Sequence, residues 1–485
     1  MIEKFNRLLD DEQQLVLQLA ELYIHDSEKR LSIGYVQDEL GVSRHQVLGA
    51  FDLLKSTITA LRIENIDLEY DGKGVLSIYG LTTTSMKTIL ENMATRSIRL
   101  NIFINSQLGI YGTQAQFLKQ FGISRATYYR NIIYIRQILS EEFFNKTHRN
   151  EESVRQTIFS VIHHFFNGID AMPIELGEPV DTLITELSEL KSMHLSYTER
   201  QRLTNFLFVQ TKRIRQGNVV KKIVDKDCAK EKLDFLEPLR DLWGLEEPDL
   251  IQEAWYLNIY FMVNELAPFE IEKCGNQPPL KVIQTLVEKQ LDFLHQIFEG
   301  LEVDDQLAEI RQELLETNLK VFSPFYFSET FVDPTKVPFF SETYPEIDEM
   351  VKQILAYVGE QRKLRLDKDT LTQLYYKLYY TYMLILLEHL PVQLVSSVVK
   401  ITVDFSNGKV FTKYITSQLQ QFAPLNIEIS KRLEDDTDIF LSDQRFYDVD
   451  CEQMIWESPP LAEDWEQLGD LIVKIKQNDK KIINS

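Results

Sequence analysis

The chain has 485 residues, is 44% hydrophobic and 26% charged, and carries a formal net charge of −22. Its length exceeds the roughly 250–300 residues at which one hydrophobic core stops growing, so several domains are expected. Gly and Pro are sparse and nothing is low-complexity, so long disordered tails are not expected, and the greasiest run, Tyr379 to Leu387, is about half of the ~20 residues a membrane span needs.

In residues 12–24, Leu15, Leu17, Leu19, Ala20 and Leu22 predict a helix packed on one face. A second helix is expected over 33–40. Gly41-Val42 then makes a tight turn, and Ser43 N-caps a third helix over 44–61. Alternation in 66–70, the turn Asp71-Gly72-Lys73-Gly74 and the extended run 75–78 predict a β-hairpin. Three helices and a hairpin make the layout of a winged helix, with Lys73 at the wing tip.

The same cassette returns 81 residues later: Leu40-Gly41-Val42-Ser43-Arg44 aligns with Phe121-Gly122-Ile123-Ser124-Arg125. Val47 falls on Tyr128, Phe51 on Ile132 and Leu54 on Ile135. The supporting helix of this copy is 114–120 and its recognition helix 125–139. In a helix-turn-helix the glycine permits the turn, and the polar start of the second helix faces outward toward a major groove. The expected DNA-facing residues are Ser43, Arg44, His45, Gln46 and Lys73 in the first copy. In the second they are Lys119, Ser124, Arg125, Thr127, Tyr129, Arg130 and Arg136.

Charge is distributed to match. Residues 1–148 carry a net −1, leaving −21 on the remaining 337. Residues 85–140 hold seven basic side chains (Lys87, Arg96, Arg99, Lys119, Arg125, Arg130, Arg136) against Glu91 alone. A local +6 is the footprint that phosphate contacts require.

Beyond Glu151 the chain is acidic and reads as helical. Apolar faces recur in 154–166, 183–190, 203–214, 254–266 and 282–301. A loop rich in Pro and Phe follows over 323–344, then helices at 347–358 and 371–387. We expect two helical bundles of about 110–120 residues each, divided near Cys274–Pro279. After Pro391 strands and helices alternate: strands at 399–405, 426–430, 438–441 and 454–456, helices at 410–422 and 461–476. That pattern predicts a small α/β domain with a parallel sheet.

The expected architecture is therefore multidomain and mainly α. It comprises a winged helix-turn-helix (1–82), a second helix-turn-helix (83–148), two helical bundles (149–273 and 274–391) and an α/β domain (392–485). This order of parts resembles the Mga/AtxA family of transcription regulators of Gram-positive bacteria, which include virulence regulators. Local support comes from Gly41-Val42-Ser43-Arg44, Gly122-Ile123-Ser124-Arg125 and Arg213-Ile214-Arg215-Gln216-Gly217-Asn218. The resemblance implies bundles like phosphotransferase-system regulation domains and a C-terminal domain like a sugar-transport EIIB subunit. It implies promoter DNA as ligand, a homodimer joined through the C-terminal domain, activation of transcription, and phosphotransferase proteins and RNA polymerase as further partners.

Two departures qualify that picture. An EIIB enzyme carries its phosphoryl group on a Cys at the end of the first strand, and Phe405-Ser406-Asn407-Gly408 has none. The helix 203–214 contains no His, so phosphohistidine control would fall on His163, His164 or His194. No metal, cofactor or catalytic constellation is expected: no histidines have ligand spacing and no Gly-rich phosphate loop is present. Cys228, Cys274 and Cys451 are too scattered for disulfides or zinc and suit a reducing cytosol. The charged N-terminus does not read as a signal peptide, so a cytoplasmic location is expected. A phosphocarrier enzyme, an RNA-binding antiterminator and a protein scaffold are the competing readings.

Overall fold

The computed structural model describes residues 5–25, 29–139, 150–166, 178–221, 223, 233, 235–266, 278–297, 304–323, 325, 340–341, 343–361, 368–390, 397–406, 408–420, 426–456 and 460–483. The predicted bundle boundary before Pro278, the start of the α/β domain at Pro391, most of the Pro- and Phe-rich loop, Asn407, Cys228 and Cys274 lie outside these residues. The described chain is mainly helical, with a small four-stranded parallel sheet and a three-stranded antiparallel one. None of its helices is long and apolar enough to cross a membrane. It divides into two compact units, residues 1–275 with 323–331, and residues 276–322 with 332–485.

The first unit opens with helix α1 (Asp11–His25), strand β1 (Arg30–Ser32), α2 (Ile33–Leu40) and α3 (Arg44–Leu61). Strands β2 (Asp67–Tyr70) and β3 (Val75–Tyr79) form the predicted hairpin. Three backbone N–H groups, of Lys73, Gly74 and Val75, donate to Asp71 Oδ1 at 2.7–2.9 Å and close its turn. β1, whose three residues are too few to mark a strand by alternation, pairs with β3 and puts β3 in the middle of the sheet.

Next come α4 (Thr83–Arg96), α5 (Ile98–Leu108), α6 (Gln114–Phe121) and α7 (Arg125–Ile138). α4 and α5 were not anticipated. α5 defeats periodicity because it is buried nearly all round, with Asn101, Asn105 and Gln107 inside along with Leu100, Ile102, Phe103 and Ile104. Asn101 answers for its burial with three donated bonds to carbonyls at the α4–α5 junction, and it accepts from Tyr111 Oη at 2.6 Å. Burial pushes the Tyr111 hydroxyl up to about 12. Asp10 caps the start of α5, accepting from the N–H groups of Ile98 and Arg99 at 2.9 and 3.1 Å.

Helices α8 (Glu151–Phe166), α9 (Glu178–Leu190), α10 (Tyr197–Arg215), α11 (Leu236–Trp243) and α12 (Asp249–Val263) complete this unit. One buried apolar cluster runs from Phe5 to Phe166 and takes in Phe208 and Val209. Both helix-turn-helix cassettes and α8 therefore share a single interior. Where α8 meets α10 and α12 an ionic network is buried. Arg155 pairs with Glu253 through two bonds of 2.7 Å, and Arg213 pairs with Glu151 likewise. Glu253 also accepts from Gln210 and from the N–H of Val220.

In the second unit, helices α13 (Pro278–Ile297), α14 (Asp304–Phe322), α15 (Pro345–Gln361) and α16 (Lys368–His389) pack together. α14 had not been foreseen. Strand β4 (Val399–Val403), helix α17 (Lys409–Leu419), strands β5 (Ile427–Ser430), β6 (Ile439–Ser442) and β7 (Glu452–Ile455) and helix α18 (Ala462–Ile483) follow. The sheet order is β5-β4-β6-β7, and every pair is parallel, as the alternation predicts. Val399, Ile401, Val403, Ile439 and Leu441 fill its core with Ile415, Leu419, Leu468 and Ile472 from the two helices.

Candidate nucleic-acid interface

The two cassettes repeat in backbone detail. Gly41 closes α2 at φ 65° and Gly122 closes α6 at φ 64°, and no atom lies where a Cβ would sit in either. Glycine is required there by the left-handed backbone and not by crowding. In each turn the next N–H reaches back, Val42 to Gln37 O and Ile123 to Leu118 O, both at 3.2 Å. Ser43 and Ser124 then N-cap the following helices, accepting from the N–H groups of Gln46 and Thr127.

The first cassette is anchored tightly, with Val47, Ala50, Phe51 and Leu54 of α3 all buried. Arg44, His45 and Gln46 are exposed at its start. Gln46 is partly committed, because its Oε1 accepts from the N–H and hydroxyl of Ser43 in a capping box. Arg44 Nη2 donates to Tyr70 Oη at 2.9 Å, tying the helix start to the wing whose tip carries exposed Lys73.

In the second cassette Arg125, Tyr129, Arg130, Arg136 and Lys119 are exposed, and α7 contains no acidic residue. Thr127 departs from expectation: it is half-buried, its hydroxyl lies 3.0 Å from that of Ser124, and it lines a cleft rather than the outer face. That cleft, about 780 Å³, lies between the α1 start, α4 and α7, with Arg96, Arg130 and Tyr134 on its walls. Arg99, counted among the seven basic residues, is withdrawn from the surface. It pairs with Asp11 at 2.9 Å, donates to the carbonyls of Arg7 and Leu9, and lies 4.0 Å from the Tyr134 ring centre. Sequence reasoning also passed over Ile133, which is 58% exposed on α7 beside Tyr129 at 55%.

The cassette is braced from behind. α7 packs on α5, and the end of α5 is held by α10. Arg213 Nη1 donates to Gln107 O at 2.9 Å. The Gln216 amide, oriented to satisfy both neighbours, donates to Gln107 O at 2.7 Å and accepts from Gly109 N at 3.1 Å. The Arg213–Asn218 stretch noted in the sequence is thus a joint between the bundle and the second cassette.

The three histidines differ sharply. His164 is buried, with Nε2 2.9 Å from Asn6 Oδ1 and its ring between Phe5 and Phe165. Burial, with Lys87 and His163 adding positive charge, pushes it down to about 3. Such a ring is closed to a phosphodonor unless the core opens. His163 is half-buried, and His194 is exposed just before α10. At the end of β4, Ser406 donates its N–H to Asp443 Oδ1 at 2.9 Å and its hydroxyl to Oδ2. These bonds hold the Asp443 carboxyl below its ordinary range. Asp443 thus sets a carboxylate against the end of β4. Among the described residues no group of three His, Cys, Asp or Glu side chains could hold a metal ion.

Compared with known proteins, the chain matches no protein-family model and no curated protein.

Proposed function

We propose that this protein is a sequence-specific, DNA-binding transcription regulator of the Mga/AtxA kind. The observation that carries the reading is the repeated cassette. Two glycine turns with the same left-handed backbone and two serine N-caps each present an exposed basic helix start, and the second helix is free of acid. Arg125, Arg130, Arg136 and Lys119 supply phosphate contacts or guanine readout, with Arg44, His45 and Lys73 in support. The sealed network around Arg155 and Glu253 supports a bundle that acts by position and not by chemistry.

The proposal includes a homodimer. Val410 and Tyr414, one turn apart and exposed on α17, offer the C-terminal domain an outward apolar face. Two chains then deliver two sets of recognition helices to paired half-sites. Phosphotransferase input and contact with RNA polymerase belong to the same reading by resemblance.

The decisive experiment is a mobility shift with fragmented genomic duplex, using the full chain at several salt concentrations. Wild type should bind with an affinity that falls steeply with salt, and Arg125→Ala/Arg130→Ala should bind weakly. Equal binding by both proteins defeats the reading.

A further inference from the structure

The outer face of α7 is not simply basic. On a helix of 3.6 residues per turn, Ala126, Tyr129 and Ile133 fall within about 60° of one another and form one seam. All three are exposed; one edge of the Tyr129 ring meets Tyr128 at 5.8 Å between centroids, and Ile133 is 58% exposed. Arg125 and Arg136 lie along one side of the seam, Arg130 and Gln137 along the other. Arg125 and Arg130 make no ion pair among the described residues, and the helix has no acid to oppose an anion.

An apolar seam bordered by cations suits a partner that is anionic at its edges and apolar between them. Duplex DNA has that character only where thymine C5-methyl groups line the major groove between two phosphate backbones. The seam from Ala126 to Ile133 is about 10 Å long at 1.5 Å per residue, the length of roughly three base-pair steps. Resting on the DNA-binding reading above, we infer that Ala126, Tyr129 and Ile133 recognise a short block of thymine methyl groups, with Ile133 as the specificity-determining side chain. The flanking arginines set the register, and the seam rejects blocks of G·C pairs for want of a methyl group to bury against.

The test uses the full chain and a pool of short duplexes with a randomised centre, made once with thymidine and once with deoxyuridine, which lacks only the methyl group. Duplexes selected from the first pool should share an A·T-containing block. Replacing its thymidines by deoxyuridine should weaken wild-type binding about four-fold for each methyl lost. Ile133→Ala, a surface change, should lose most of the difference between the two forms of that duplex, and Ile133→Val should keep more of it. Deoxyuridine without effect on wild type overturns the inference, as does an Ile133→Ala variant that still loses the full factor. So does an Ile133→Ala variant that discriminates like wild type yet changes its sedimentation, since the seam would then be a protein contact. Failure of wild type to bind either pool would instead sink the DNA-binding reading itself.

Discussion

Arg155 and Glu253 face each other 98 residues apart in sequence, joined by two hydrogen bonds of 2.7 Å, with side chains 2% and 0% exposed. Burial alone would lower the arginine's pKa. The charge of Glu253 and its hydrogen bonds reverse that and hold the guanidinium above its ordinary range. Removing one partner strands the other in the core, so Arg155→Met should cost about 3–5 kcal/mol. Arg155→Met/Glu253→Leu should recover much of the loss. Calorimetric melting of wild type, the single and the double variant checks this; a double variant as damaged as the single would mean that Glu253 matters mainly through Gln210 and Val220.

His164 makes the first unit sensitive to acid. Its folded pKa, about 3, lies below the ordinary histidine value of 6.5. The unfolded chain therefore takes up the proton first. Stability is complete above about pH 6.5 and is lost as pH falls toward the folded value, at up to about 1.4 kcal/mol per pH unit. Between about pH 7 and pH 5 the melting temperature of wild type should drop further than that of His164→Asn. Parallel drops would show that His164 is already free to protonate in the fold.

The two cassettes should differ in how they hold DNA. Arg125→Ala/Arg130→Ala removes two phosphate contacts and should make the log–log salt slope shallower by about 1.8. Arg44→Ala acts differently, because Arg44 also ties α3 to the wing through Tyr70. It should loosen the wing as well, visible as faster amide exchange across β2 and β3. A loss of affinity with no change in exchange would leave Arg44 as a DNA contact alone.

Among His163, His164 and His194, a phosphoryl group should reach His194 most readily, since it is exposed while His164 is enclosed. Incubation of the full chain with a phosphorylated phosphotransferase carrier protein should label wild type and His164→Ala but not His194→Ala. Label retained by His194→Ala moves the site to His163 or elsewhere.

Much of the candidate interface is legible in the sequence because its determinants are local. Gly41, Ser43, Gly122 and Ser124 act within a few residues of themselves, and the elements they bound are found at the predicted positions, α2 and α3 with identical ends. Thr127 was misplaced and Ile133 passed over for the converse reason. A threonine near a helix start reads as exposed and an isoleucine as core, yet which faces inward depends on how α7 rolls against α5. Arg99 counts toward the basic footprint until Asp11 and Tyr134 are brought to it across the fold. The Arg155–Glu253 pair leaves no trace in spacing, since its members belong to separate helices.

The interior shared by both cassettes and α8 limits how this chain can change. Independent modules can be exchanged between genes as beads on a string, but halves of one core cannot. A donor segment ending before Glu151 would arrive without Val154, Ile158, Val161 and Phe165, and would leave the recipient's own α8 facing water. On the DNA-binding reading, new target preference is therefore more accessible by point substitution along the exposed stripes of α3 and α7 than by recombination of whole heads.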